Sequence, residues 1–84
     1  MSLSFGEALC EMRIGGKVAR YGWNGKGMFL FMIAGGTWDF ECDIDGVDVL
    51  DTLPFICMKT ADGKLVPWLA SQTDMIANDW MVIN

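Results

Sequence analysis

Pro67-Trp68-Leu69-Ala70-Ser71-Gln72-Thr73-Asp74 is the stretch on which the fold turns, because it joins the end of a strand to the start of a short helix. Pro67 has no N–H to give to a ladder, so its strand lies at a sheet edge or stops there. Ser71 and Asp74 stand three apart, as in a capping box. The hydroxyl accepts from the backbone N–H at Asp74, and the carboxylate reaches back to the N–H of the cap. A helix is therefore expected from Gln72 to Ala77, too short to persist without packing, with Met75 and Ile76 available to pin it. Its start gathers unpaired donors beside the Trp68 indole, a combination suited to a phosphate or carboxylate next to a flat ring. A plainer reading stands beside this one: an ordinary capped helix with a core tryptophan, caps being commoner than binding sites.

Upstream, Phe55-Ile56-Cys57-Met58-Lys59-Thr60 reads as a strand, Ala61-Asp62-Gly63-Lys64 as a turn and Leu65-Val66-Pro67-Trp68 as the returning strand, together a hairpin. Downstream, Asn78-Asp79 ends the helix, and Trp80-Met81-Val82-Ile83 closes the chain as a final strand. At the other end Ser4 and Glu7 repeat the capping box, and Phe5, Ala8, Leu9 and Met12 follow helical spacing, which predicts a helix from about Phe5 to Ile14. Gly15 and Gly16 end it. Lys17 to Tyr21 reads as a short strand.

Gly22-Trp23-Asn24-Gly25-Lys26-Gly27 is hairpin-turn chemistry, since Asn-Gly suits a tight turn. The continuous apolar run Met28 to Ile33 predicts a core strand covered on both faces by helix, sheet or another subunit. Thr37 to Cys42 alternates as a half-buried strand with Trp38, Phe40 and Cys42 on one face, and Asp43 to Thr52 reads as an acidic loop. The expected class is α+β: one domain over residues 1–84, a small antiparallel sheet with an N-terminal helix and a short C-terminal helix.

A chain of 84 residues has room for one small core and needs extra stabilisation. Three widely spaced cysteines and no histidine make a zinc site or a disulfide framework a poor source of it. Self-association is left. Four Trp, five Phe and seven Met exceed what one small core hides, which fits subunit contacts or an aromatic pocket. Free thiols suit a reducing cytosol, and the longest apolar run is too short to span a membrane. The net charge of −5 argues against a binder of long nucleic acid. Arg13, Lys17, Arg20 and Lys26 in the first third nevertheless offer local complements for a small anion.

Catalysis has poor material. There is no histidine base, no Gly-x-Ser-x-Gly and no metal-ligand cluster, so a non-enzymatic binding protein without a cofactor is expected. Its best binding residues are two indoles, Trp23 and Trp68, each beside a turn or helix start with polar neighbours. Stacking a base on such a ring contributes roughly 1–3 kcal/mol, and a nucleotide-like anion is the implied ligand.

The same residues resemble a known family. Phe5-Gly6-Glu7-Ala8-Leu9, Val18-Ala19-Arg20, Gly22 to Leu30, Met58 to Gly63, Pro67 to Asp74 and Asp79-Trp80 together are similar to the second type of Thoeris anti-defence protein of phages and prophages. The likeness is weakest from about Ala34 to Leu53. It implies a homo-oligomeric sponge, a tetramer, in the host cytoplasm during infection. Such a sponge sequesters, uncleaved, the cyclic ADP-ribose isomer (gcADPR) made by the TIR-domain protein of Thoeris and keeps the defence effector inactive. Some relatives are similarly thought to hold cyclic dinucleotides at a separate site. Carried onto this chain, the resemblance makes Trp23 and Trp68 an adenine sandwich, Asn24, Ser71, Gln72, Thr73 and Asp74 ribose and phosphate contacts, and Arg20 the charge complement. The alternative is a protein-binding module that inhibits a host factor through an aromatic surface.

Overall fold

The computed structural model describes residues 2–23, 27–36, 45–46 and 52–84. Helix α1 spans Phe5–Arg13 and strand β1 Lys17–Arg20, followed by a single 3₁₀ turn at Tyr21–Trp23. Strands β2 (Phe29–Ile33), β3 (Phe55–Lys59) and β4 (Leu65–Pro67) come next, then helix α2 (Gln72–Ile76) and strand β5 (Trp80–Ile83). The five strands form one antiparallel sheet in the order β4-β3-β2-β1-β5. No helix among the described residues is long and apolar enough to cross a membrane.

Both capping boxes form. Ser4 Oγ accepts from Glu7 N at 3.2 Å and Glu7 Oε1 accepts from Ser4 N at 2.9 Å; Ser71 and Asp74 repeat the exchange, each at 3.1 Å. Gly15 ends α1 at φ 91°, a left-handed conformation that costs glycine nothing. Gly16 is fixed by space, since a Cβ there would stand 2.9 Å from the Glu11 carbonyl oxygen.

Ala8 and Met12 of α1, Val18 of β1, Leu30 of β2 and Trp80 of β5 form a fully buried cluster. Leu3, Phe5, Leu9, Trp23, Met32, Ile56, Met58, Trp68 and Ala77 pack around it. The strand period of two sends Phe29, Phe31 and Ile33 to the face away from α1. Their cross-strand partners Lys59, Cys57 and Phe55 share that face. The expectation that β2 is covered on both faces is thus met by α1 on one side; among the described residues no helix covers the other. The expected strand Thr37–Cys42, with Trp38, lies outside the described residues, as does the acidic loop apart from Asp45, Gly46 and Thr52. The ends of that stretch are held side by side: Gly36 N donates to the carbonyl of Thr52 at 2.9 Å and to its Oγ1 at 3.1 Å. Cys10 is an exposed free thiol and Cys57 a buried one, whose burial pushes its pKa up.

Candidate ligand site around Trp23 and Arg20

Trp80 is fully buried and stands at the centre of an aromatic cluster. Its ring lies 5.3 Å from Phe5, 5.6 Å from Trp23 and 6.0 Å from Trp68, and its Nε1–H donates to the Asp74 carbonyl at 3.0 Å. That bond ties the start of α2 to the core. Reading along the sequence placed Trp80 in a strand and gave it no further part; the signal present was its position after Asn78-Asp79, where a strand begins directly under the helix.

Trp23 and Trp68 do come together, but not as a clasp. Their centroids are 6.4 Å apart at an interplanar angle of 76°, edge to face. A base held between two rings needs them parallel and about 7 Å apart, twice the usual stacking distance of roughly 3.5 Å, so these two indoles touch one another instead. Trp68 also packs on Phe5 at 6.1 Å. The 3₁₀ turn positions Trp23: directly after β1 it swings the ring back over Trp80 rather than out toward solvent.

Arg20 is held by two carboxylates, Asp74 of α2 and Asp79 of the segment between α2 and β5. Its Nε and Nη2 donate to Asp79 Oδ1 and Oδ2 at 2.9 and 3.5 Å, while Nη1 donates to Asp74 Oδ1 at 3.0 Å. The Asp79 hydrogen bond, then the Asp74 one, hold the guanidinium pKa above its ordinary value. Asp74 is doubly engaged, since Ser71 Oγ donates to its Oδ2 at 2.7 Å. Burial pushes the Asp74 carboxyl up, but the bonds from Ser71 and Arg20 outweigh it and leave the pKa below its usual value. Asp79 was not anticipated as a partner, because 59 residues of chain separate it from Arg20.

A depressed carboxyl pKa in the fold stabilises above the unfolded value and is lost as pH falls through the folded one. Stability should therefore decline with acid below about pH 4, the ordinary aspartate range, as the Ser71–Asp74–Arg20 ties protonate away. Chemical denaturation across pH checks this. The gap between wild type and Asp74→Asn should narrow as pH drops, and a gap constant down to pH well below that range would reject the assignment.

Two hollows meet at Arg20. One, of about 190 Å³, is walled by Trp23, Phe29, Met28 and Met81 with Ala19, Gly27 and Ile83. The other, about 300 Å³ and shallow, is lined by Gln72, Thr73, Ile76 and Ala77. Of the sequence-predicted site residues, Arg20, Trp23, Gln72 and Thr73 thus border open space, while Ser71 and Asp74 are occupied in the cap and Trp68 in ring packing. Asn24 lies outside the described residues. A further hollow of about 490 Å³, lined by Ser2, Tyr21, Asp79, Trp80 and Met81, contains none of the expected residues. Among the described residues no group of His, Cys, Asp and Glu is placed to hold a metal.

Fold and site together define a small α+β protein whose antiparallel sheet gathers tryptophans and a carboxylate-bound arginine at one end. The profile of the Thoeris anti-defense 2-like domain matches residues 3–83. Thoeris anti-defense 2 of Bacillus phage SP01 is 39% identical over 85 residues, covering 98% of this chain and 96% of the relative. The chain belongs to the Thoeris anti-defence 2-like family, and so to the anti-defence proteins.

Proposed function

We propose that this protein counters Thoeris by binding gcADPR, the cyclic ADP-ribose isomer made by the TIR-domain protein, and holding it without cleavage so that the effector is never activated. The observation that carries the reading is the hollow walled by Trp23 and Phe29 beside Arg20. One purine face rests there on an indole, and a ribose extends past Arg20 toward Gln72 and Thr73. A ligand pocket commonly measures roughly 300–1,000 Å³, so the inner hollow takes the base and the outer one a ribose rather than either taking the whole ligand. Binding to Trp23 from one side replaces the two-sided sandwich.

In this reading the protein acts in the host cytoplasm during infection as a homo-oligomer, a tetramer. The Phe31 and Ile33 part of the face away from α1 supports self-association, since a chain this small gains much by covering such surface. Cyclic dinucleotides at a separate site extend the same proposal.

The test is to incubate protein with gcADPR, remove free ligand, denature by heat and identify what is released by mass spectrometry. Intact ligand in near-stoichiometric amount is expected. A cleaved product, or none retained, overturns sequestration. A protein-binding module remains the second reading, favoured by Leu69 and Ile76, which are 91% and 72% exposed beside the aromatic cluster. A stoichiometric host protein captured from infected cells, with no nucleotide released, would favour it.

A further inference from the structure

Arg20 is the cation that sequence reasoning assigned to the ligand's charge, yet its fork is taken up by Asp79 and Asp74. One positive charge against two negative ones leaves that cluster with an excess of negative charge, a poor receiver for a phosphate. The cations that remain near the inner hollow are on the other face of the sheet. Lys17 of β1 and Lys59 of β3 reach in from either side of β2 and place their ammonium groups 5.1 and 5.4 Å from the centroid of the Phe29 ring. Phe29 is itself a wall of the hollow that Trp23 borders.

Several features make this pair more than two surface lysines. Both ammonium groups converge on one aromatic ring, whose face attracts them at some cost in mutual repulsion. Lys59 Nζ is further fixed by donating to the Gly27 carbonyl at 3.1 Å, and Gly27 is another wall of the same hollow. An ammonium has three N–H donors, so Lys59 retains two and Lys17 its own set. Among the described residues neither lysine forms an ion pair with a carboxylate, whereas the third described lysine, Lys64, pairs with Asp62 at 3.7 Å. In a chain of net charge −5 this is a local reversal of sign, set against an aromatic-walled hollow.

We infer that Lys17 and Lys59, poised over Phe29, are the groups that receive the phosphates of the bound ligand, in place of Arg20. The inference rests on the nucleotide-binding reading above and names the phosphate contact within it. The base lies against Trp23, the diphosphate crosses the Phe29 edge, and each ammonium donates charge-assisted hydrogen bonds to an anionic oxygen. Arg20 acts instead through Asp74 and Asp79, as a positioning residue for the start of α2.

The test compares wild type, Lys17→Gln/Lys59→Gln and the charge-retaining Lys17→Arg/Lys59→Arg against two probes, gcADPR and inorganic pyrophosphate, at low and high salt. In wild type with isotopically methylated lysines, both probes are expected to shift the Lys17 and Lys59 resonances. The Gln variant should bind gcADPR on the order of 10-fold more weakly with a flatter salt dependence, and the Arg variant should recover most of the loss. If gcADPR binds with both resonances unmoved and the Gln variant retains wild-type affinity, the lysine assignment is overturned while sequestration stands. If pyrophosphate shifts the lysines but gcADPR does not bind, the anion site stands and the nucleotide reading falls. Binding of neither probe overturns both.

Discussion

Trp80→Ala is expected to lower stability by about 3–5 kcal/mol, the usual cost of removing a fully buried large aromatic side chain. Trp80 is 0% exposed, and three rings lean on it: Phe5, Trp23 and Trp68. Removing it leaves a cavity in the cluster it forms with Ala8, Met12, Val18 and Leu30, all of them already buried. It also deprives the Asp74 carbonyl of its indole donor. Total stability for a chain of this length is roughly 4–13 kcal/mol, so the loss is a large fraction of what there is. Denaturant unfolding at one fixed protein concentration measures it. Trp80→Phe separates the two contributions: it keeps a ring but loses the indole bond, and about 1–2 kcal/mol is expected. A change below about 1 kcal/mol for Trp80→Ala would mean that the core is centred elsewhere.

What was legible in the sequence was local. Ser4–Glu7 and Ser71–Asp74 announced both helix starts because a capping box is complete within four residues, and Gly15-Gly16 marked the end of α1 for an equally local reason. The Asp62-Gly63 turn fixed the β3–β4 hairpin, and the apolar pattern placed β2 and β5 within a residue of where they lie. The arrangement of those parts was less legible. That β5 pairs with β1 is a contact across most of the chain, and no periodicity encodes it. The same holds for Arg20, whose charge looked uncommitted because both of its partners lie more than fifty residues away. The two indoles were correctly brought together and wrongly oriented. Sequence gives a tryptophan's neighbours in the chain, whereas ring angles are set by packing against a third body, here Trp80. Lys17 and Lys59 were separable only by alternation across three strands, which requires the register to be known.

Trp23→Ala should weaken capture of gcADPR by about 2–3 kcal/mol, some 30- to 150-fold, since it removes the ring face on which a base stacks. Its cost to the fold should be smaller than that of Trp80→Ala, because Trp23 is only half-buried and contributes mainly two edge-on aromatic contacts, each contributing about 0.5–1.5 kcal/mol. Trp68 provides the contrast that makes the prediction specific. Its ring touches Phe5, Trp23 and Trp80, so Trp68→Ala should spend its effect on stability and reach the ligand only by letting Trp23 move. Titration calorimetry with gcADPR, run beside thermal melts of both variants at the same concentration, tells the two roles apart. The expected order is a larger binding loss for Trp23→Ala and a larger melting loss for Trp68→Ala. The reverse order would move the base from the Trp23–Phe29 hollow to a surface built on Trp68, and with it the route by which the diphosphate reaches any cation.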